Sequence, residues 1–403
     1  MSLPYRLNPE DLPPPTPPYT VLTEDGVVAR EARTSPSEQD MLRAYRLMRF
    51  LRILDGQMLN AQRQGRISFY GSCTGQEASV VGSALALEEG DLCVPALREG
   101  GAALLRGFSF RAYVDQVFGN DRDSSRGRQM PCHYGCRDIG HLTLSSPVAN
   151  QLPQAVGMAH AEKLRGTDRV VMAYMGDGGT AEADFHYAMN FASLWKSPLV
   201  FICQNNQWAI STPWQTQMAT DTIAQRAEAY AMPYFRVDGN DLLGVHDICV
   251  EAVARARAGH GPTFVESLTY RVGAHSTSDD PSRYRDEDIT AIWAEKRDPL
   301  RRLDTYLVEK SLVSEEEITA MDASFQEVIK KEVMGAESRP YPPMSSLFSD
   351  VYASLPPHLE RQKSGVDLAG QEADPGALGG NEEPLAPWDS WCWDAQAQAI
   401  TES

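Results

Sequence analysis

Apolar positions along the chain fall into two periods. Met41, Leu42, Tyr45, Met48, Leu51 and Met58 recur at helical spacing, which predicts one buried face of a long helix. Its start is expected near Ser35, where Ser35-Pro36-Ser37-Glu38 offers a capping hydroxyl, a first-turn proline and a capping-box carboxylate. Elsewhere the apolar runs are short and continuous. Residues 169–175, 199–204 and 263–270 read as buried strands, and 181–195 between the first two reads as a helix. From about 66 to 275 such runs alternate with glycine-rich turns and helical patterns. Strand, helix, strand in this rhythm predicts an α/β fold, a mostly parallel sheet with helices on both faces. Residues 286–335 are charged and helical in pattern, with Trp293, Leu300, Leu303 and Tyr306 as the inner face.

Both ends break these patterns. Pro13, Pro14, Pro15, Pro17 and Pro18 crowd the first 34 residues and exclude a helix there. Such an arm either lies on a surface or is a disordered tail. Beyond about 356, glycine, acidic and small residues dominate, and 360–384 reads as a flexible linker. Trp388, Trp391 and Trp393 then cluster near the end, suited to docking on this protein or on a partner.

Composition narrows the function classes. At 403 residues the chain is too long for one small domain of about 150 residues. A net charge of −18 argues against general nucleic-acid binding and against docking on anionic membranes. No apolar run approaches the ~18 residues of a spanning helix. The opening residues lack the basic start and apolar stretch of a signal peptide, so a cytoplasmic location is expected. Cys132 and Cys136 have three residues between them and no second pair follows, so reduced thiols are expected rather than zinc ligands or disulfides.

The candidate chemistry lies at two strand ends. Gly176-Asp177-Gly178 follows the run 169–175, and Asn205-Asn206 follows the run 199–204. If those strands are parallel neighbours, both motifs share the carboxyl edge where open α/β sheets bind ligands. The glycines let backbone approach a phosphate closely, and the positive end of the following helix points there. Asp177, the Asn206 side-chain oxygen and a carbonyl near Trp208 are hard ligands that supply half an octahedral shell. Magnesium completes such a shell with diphosphate oxygens and water. Gly-Asp-Gly is a common turn and Asn-Asn a common loop. The signal lies in their order around strand, helix and strand.

These residues carry a resemblance. The stretch 176–206 is similar to the thiamine-diphosphate motif. Arg128-Gln129-Met130-Pro131-Cys132-His133-Tyr134-Gly135 and Leu144-Ser145-Ser146-Pro147-Val148-Ala149-Asn150-Gln151 resemble the alpha subunit of branched-chain 2-oxo acid dehydrogenase. So do Asn205-Asn206-Gln207-Trp208-Ala209-Ile210-Ser211-Thr212 and Arg236-Val237-Asp238-Gly239-Asn240-Asp241. Tyr270-Arg271-Val272-Gly273-Ala274-His275-Ser276-Thr277-Ser278-Asp279-Asp280 resembles it most closely, and the run after His275-Ser276 favours the branched-chain branch over pyruvate-specific relatives. The resemblance covers roughly residues 36 to 356. It implies a thiamine-diphosphate-binding fold over 35–356 with a helical C-terminal region; outside it, composition gives an extended arm over 1–34 and an acidic, glycine-rich flexible tail over 357–403.

The resemblance also implies roles. Asp177, Asn206 and the Trp208 carbonyl would hold Mg2+. Gly176, Gly178, Gly179 and Arg98 would meet the diphosphate, and Ser146 and Val148 would lie beside the thiazolium ring. Family members can also hold K+ at the positions of Ser145, Pro147, Asn150 and Gln151. His275 sits on the loop that closes over the cofactor, and His133 matches a second histidine on that face. These two are the catalytic candidates, although a lone histidine is ordinarily structural. Ser276 matches a serine phosphorylated in animal members, where added charge beside the diphosphate would block loop ordering. Two positions depart from the animal pattern: Leu97 stands for a tyrosine and Gln204 for an arginine.

The implied activity is decarboxylation of branched-chain 2-oxo acids and transfer of the acyl group to lipoyl groups of a separate transacylase. The cofactor carries the hard chemistry. The protein holds it, excludes water and places acid and base groups. In this family the glutamate that activates the aminopyrimidine belongs to a beta subunit, so an α2β2 heterotetramer is expected. Three alternatives stay open. One is an alpha subunit acting on pyruvate or acetoin. Another is a non-catalytic paralogue, motivated by Leu97 and Gln204. The third is a nicotinamide-dependent oxidoreductase, for which the Gly-x-Gly-x-x-Gly after a first strand is missing.

Overall fold

The computed structural model describes residues 17–349 and 351–365. In chain order the elements are α1 (Glu38–Arg63), α2 (Glu77–Ala84), β1 (Leu92–Val94), α3 (Gly100–Leu105), α4 (Phe110–Phe118), α5 (Gln151–Arg165), β2 (Val171–Gly176), α6 (Ala183–Trp195) and β3 (Leu199–Asn205). There follow β4 (Trp208–Ala209), β5 (Thr212–Pro213), β6 (Tyr234–Asp238), α7 (Leu242–Arg257), β7 (Thr263–Leu268), α8 (Glu287–Glu295), α9 (Pro299–Glu309), α10 (Glu315–Ser338) and α11 (Pro357–Ser364).

Side chains alternate across each strand, and here both faces are apolar. Val171, Ala173 and Met175 of β2 join one core with Leu152 and Val156 of α5 and Phe185 and Met189 of α6. Met172 and Tyr174 join the opposite core with Leu47 of α1, Val80 of α2 and Val245 of α7. A strand buried on both faces is the mark of a parallel sheet between helical layers. The five-stranded sheet has the order β1-β2-β3-β7-β6, and every pairing in it is parallel. The α/β expectation is met. A separate two-stranded hairpin, β4-β5, follows β3.

Several expected boundaries move. Helix α1 begins at Glu38, and its cap is Ser37, whose hydroxyl accepts from the Asp40 amide at 3.1 Å. Ser35 and Pro36 lie outside the helix, so the cap expected at Ser35 is two residues early. Ser37 and Asp40 form an equally good start signal. The charged region 286–335 divides into α8, α9 and α10. Asp298 caps α9, accepting from the Leu300 and Arg301 amides, and Ser314 with Glu317 forms a capping box on α10. Leu300 and Leu303 are buried as expected, and Trp293 stacks on Tyr270. Phe325 of α10 meets Phe50 of α1 edge to face at 5.4 Å.

The arm is docked where it is described. Tyr19 adds one residue of pairing beside β6: its amide donates to Arg236 O at 2.7 Å, and Asp238 N donates to its carbonyl at 2.9 Å. Asp241 accepts from the amides of Val21 and Leu22, and Asp247 from those of Arg33 and Thr34. The linker expected over 360–384 is helical at its start, because α11 runs to Ser364 with a proline in its first turn. Trp388, Trp391 and Trp393 lie outside the described residues. Cys132 and Cys136 are free thiols.

Candidate active site

The register between β2 and β3 creates the site. Met175 pairs with Cys203 and Gly176 with Gln204, so the chain leaves both strands at the same carboxyl edge. A cavity of about 540 Å³ opens there. Its wall contains Arg98, His133, Ser145, Ser146, Val148, Gln151, Gly176, Asp177, Gly178, Gly179, Asn206, Trp208 and His275. Residues as far apart as Arg98 and His275, 177 positions along the chain, thus converge on one space. Pro147 and Asn150 are not in that wall. Asn150 is the residue before α5, and its Oδ1 is buried without a hydrogen-bond partner. The same holds for Oε1 of Gln151, whose Nε2 donates to the Tyr174 carbonyl at 2.8 Å. Two neighbouring orphaned amide oxygens are a costly arrangement that a monovalent cation would relieve.

Asp177 opens a 3₁₀ turn, Asp177–Ala181, closed by Thr180 Oγ1 donating to the Asp177 carbonyl at 2.7 Å. This turn, and not the N-terminus of a helix, sits at the strand end. Glu182 is extended between the turn and α6, so the helix expected from 181 begins at Ala183. Glycine is required at 178, where a Cβ would lie 2.5 Å from Ala209 Cβ of the β4-β5 hairpin. At Gly176 a Cβ would meet nothing within 4 Å.

The donors present fit a divalent cation. Asp177 is buried, and its Oδ2 has no hydrogen-bond partner. Burial pushes its carboxyl up to about 7, against the opposing pull of its own amide, Arg271 and the Asn206 amide. Asn206 is also buried; its Oδ1 accepts from Trp208 N at 3.2 Å and its Nδ2 donates to Gln76 Oε1 at 3.0 Å. The Trp208 carbonyl already accepts from Arg271 Nη1 at 3.3 Å, which leaves one lone pair for a metal.

The two histidines have different settings. Nδ1 of His133 lies 3.0 Å from the Pro131 carbonyl, which can only accept, so Nδ1 carries the proton. Its Nε2 lies 2.6 Å from the Ser146 hydroxyl, from which the Nδ1–H tautomer of the neutral ring accepts. The His275 amide donates to Asp279 at 2.7 Å, and its carbonyl accepts from Arg98 Nη2 at 2.8 Å. Burial pushes the His275 imidazole down to about 4, aided by Arg98 and Arg271 and opposed by Asp279. It is neutral at pH 7. Arg98 also donates to the Ser72 carbonyl. Leu97 and Gln204 both line the cavity, and Gln204 keeps a buried Nε2 without a partner.

Sequence reasoning missed two organising residues. Arg271 is buried and joins the β4-β5 hairpin to the His275 loop: its Nη2 donates to the Ile210 carbonyl and to Tyr284 Oη, both at 2.7 Å. Tyr284 in turn donates to Asp279, which holds the His275 amide. Arg271 lay inside a recognised motif, but nothing in the sequence shows what it reaches. Gln76 lies 130 positions from Asn206 and belongs to no motif.

A model of the dehydrogenase E1 component family matches residues 45–345. The chain is 40% identical over 349 residues to 2-oxoisovalerate dehydrogenase subunit alpha 1, mitochondrial, of Arabidopsis thaliana, covering 86% of this chain and 74% of the relative. It is 41% identical over 360 residues to the mitochondrial alpha subunit of Caenorhabditis elegans, covering 88% and 82%. The Homo sapiens mitochondrial alpha subunit is 40% identical over 350 residues, covering 86% and 78%. These relatives are mitochondrial proteins, which overturns the cytoplasmic expectation. Fold, cavity and extended similarity agree: the chain belongs to the dehydrogenase E1 component family, among the 2-oxoisovalerate dehydrogenase alpha subunits.

Proposed function

We propose that this chain is the alpha subunit of a thiamine-diphosphate-dependent branched-chain 2-oxo acid dehydrogenase, decarboxylating acids such as 2-oxoisovalerate. The observation that carries the reading is the convergence of Asp177, Asn206, Arg98 and His275 on one cavity. Thiamine diphosphate, when bound, supplies the centre that accepts the electrons released by decarboxylation. Asp177, Asn206 and the free lone pair of the Trp208 carbonyl would hold Mg2+. The turn from Gly176 to Gly179 and Arg98 would hold the diphosphate. Ser146 and Val148 would flank the ring, with Ser146 oriented by His133. His275, neutral at pH 7, is suited to hydrogen bonding near the reacting centre without adding charge. The orphaned oxygens of Asn150 and Gln151, with Ser145 and Pro147, support a K+ site nearby.

Apolar residues of the same wall, Phe69, Leu97, Met130 and Leu144, suit a branched alkyl chain better than pyruvate's methyl group. Val148 and Ile210 are 60% and 54% exposed at this cavity, which leaves the wall open to a partner. A beta subunit would close it in an α2β2 assembly and contribute the missing acid. The acyl group would then pass to a lipoyl group on a separate transacylase.

The test is co-expression with the candidate beta subunit, addition of thiamine diphosphate and Mg2+, and assay with an artificial electron acceptor. Faster turnover of 3-methyl-2-oxobutanoate than of pyruvate is expected, and Asp177→Ala should abolish it. Preference for pyruvate would move the chain to a sister activity. Bound cofactor without turnover of either acid would favour a non-catalytic paralogue, and turnover by the chain alone would sink the heterotetramer.

A further inference from the structure

The segment 70–76 carries none of the recognised motifs, yet it underlies the metal-side edge. Asp55 of α1 is buried and accepts from Cys73 N at 2.9 Å, Thr74 Oγ1 at 2.7 Å and Tyr70 Oη at 3.0 Å. Thr269, just past β7, donates its hydroxyl to the Gly75 carbonyl at 2.9 Å. Gly75 itself has φ +89°, and a Cβ there would lie 2.6 Å from Val272 Cγ2. These contacts pin the strap from both sides. It ends at Gln76, which has no exposed surface and whose backbone N–H donates to the Cys73 carbonyl at 2.8 Å.

A carboxamide has one end that accepts and one that only donates. A divalent cation needs the oxygen. Gln76 Oε1 accepts from Asn206 Nδ2 at 3.0 Å. With the NH2 end engaged, Oδ1 faces the other way, where it accepts from Trp208 N at 3.2 Å and keeps a second lone pair. We infer that Gln76 is the positioning residue for Asn206, selecting the amide orientation that presents Oδ1 to the cation. This rests on the proposed reading of the site as a Mg2+–thiamine diphosphate centre. Outer partners that orient metal ligands typically change metal affinity by about 10- to 100-fold when removed. What Gln76 supplies is one acceptor. A glutamate at that position would serve as well, and a leucine of similar size would not.

The experiment uses the assembled complex with its beta subunit. Mg2+ is titrated at fixed thiamine diphosphate, and binding is read by calorimetry and by the fluorescence of tryptophan. Gln76→Leu should weaken apparent Mg2+ affinity by about tenfold or more, with a lowered melting temperature of the cofactor-free complex, because Asn206 Nδ2 loses its acceptor. Gln76→Glu should retain both the affinity and the melting temperature of the unsubstituted complex. Equal affinity in Gln76→Leu overturns the inference, as does a loss in Gln76→Glu matching that in Gln76→Leu. If Gln76→Leu does not assemble, Gln76→Glu decides alone: retained affinity supports the acceptor role and a tenfold loss overturns it. An unsubstituted complex that takes up no Mg2+–thiamine diphosphate overturns the proposed function, and this inference with it. Tight uptake by that complex and by Gln76→Leu alike overturns this inference only.

Discussion

On the proposed reading Asp177 would meet the cation, and its protonation would set how tightly the cation binds. In the absence of metal, burial holds the carboxyl near 7. A metal binds the ionised form, so the proton must leave first. Mg2+ affinity should therefore rise with pH up to the region of that value and level off above it. Below it, affinity should fall by up to about tenfold per pH unit, with proton release on binding. Calorimetry at pH 6 and pH 8, in buffers of different ionisation heat, checks this; equal affinity and no proton release would show Asp177 already ionised. The glycines next to it differ in a way the motif does not reveal. Gly178→Ala places a methyl against Ala209 and should destabilise the folded chain by about 1–3 kcal/mol. Gly176→Ala meets nothing and should leave the unfolding midpoint of the cofactor-free chain near its original value. Urea denaturation of both variants gives the comparison. Residue identities at this scale were legible in the sequence. Arg271 and Gln76 were not, because their importance lies in partners far along the chain.

Elements were legible wherever an apolar period was long or continuous. β2, β3, β7 and α1 all stand where the pattern places them, with ends shifted by at most three residues. Ends depend on local hydrogen bonds, and two start signals can overlap. Ser35 and Ser37 compete on paper, and only Ser37 accepts from an amide of the first turn. Ser37→Ala should cost about 1 kcal/mol of stability, and Ser35→Ala close to nothing. Equal midpoint shifts in a denaturation series would contradict that assignment. The segment after Asp177 is a similar case. Composition gives no way to separate a 3₁₀ turn from the first turn of α6, since the choice depends on how Glu182 leaves the turn. The arm makes the opposite point. Prolines ruled out a helix, but its docking depends on Asp241 and Asp247, two acids of the α7 start that lie more than 200 positions away.

For the whole molecule, the consequence is an open cavity wall. Val148 and Ile210 are apolar and exposed beside the polar groups of the cavity, an unusual combination for a finished surface. Hydrogen exchange of 145–150 and 208–213 should slow when the beta subunit is added, before any substrate is present. Unchanged exchange in a demonstrably formed complex would place the interface elsewhere. Chain order and residue type were enough to establish the α/β class, the paired strand-end motifs and the family, because periodicity and contiguous motifs are local properties. Only the tertiary structure decided that β2 and β3 are adjacent in the register that joins Asp177 to Asn206. It alone brought Arg98, His133 and His275 to the same cavity, and set Gln76 behind Asn206. Those contacts span tens to hundreds of positions, and packing of the two cores, rather than any local preference, brings them together.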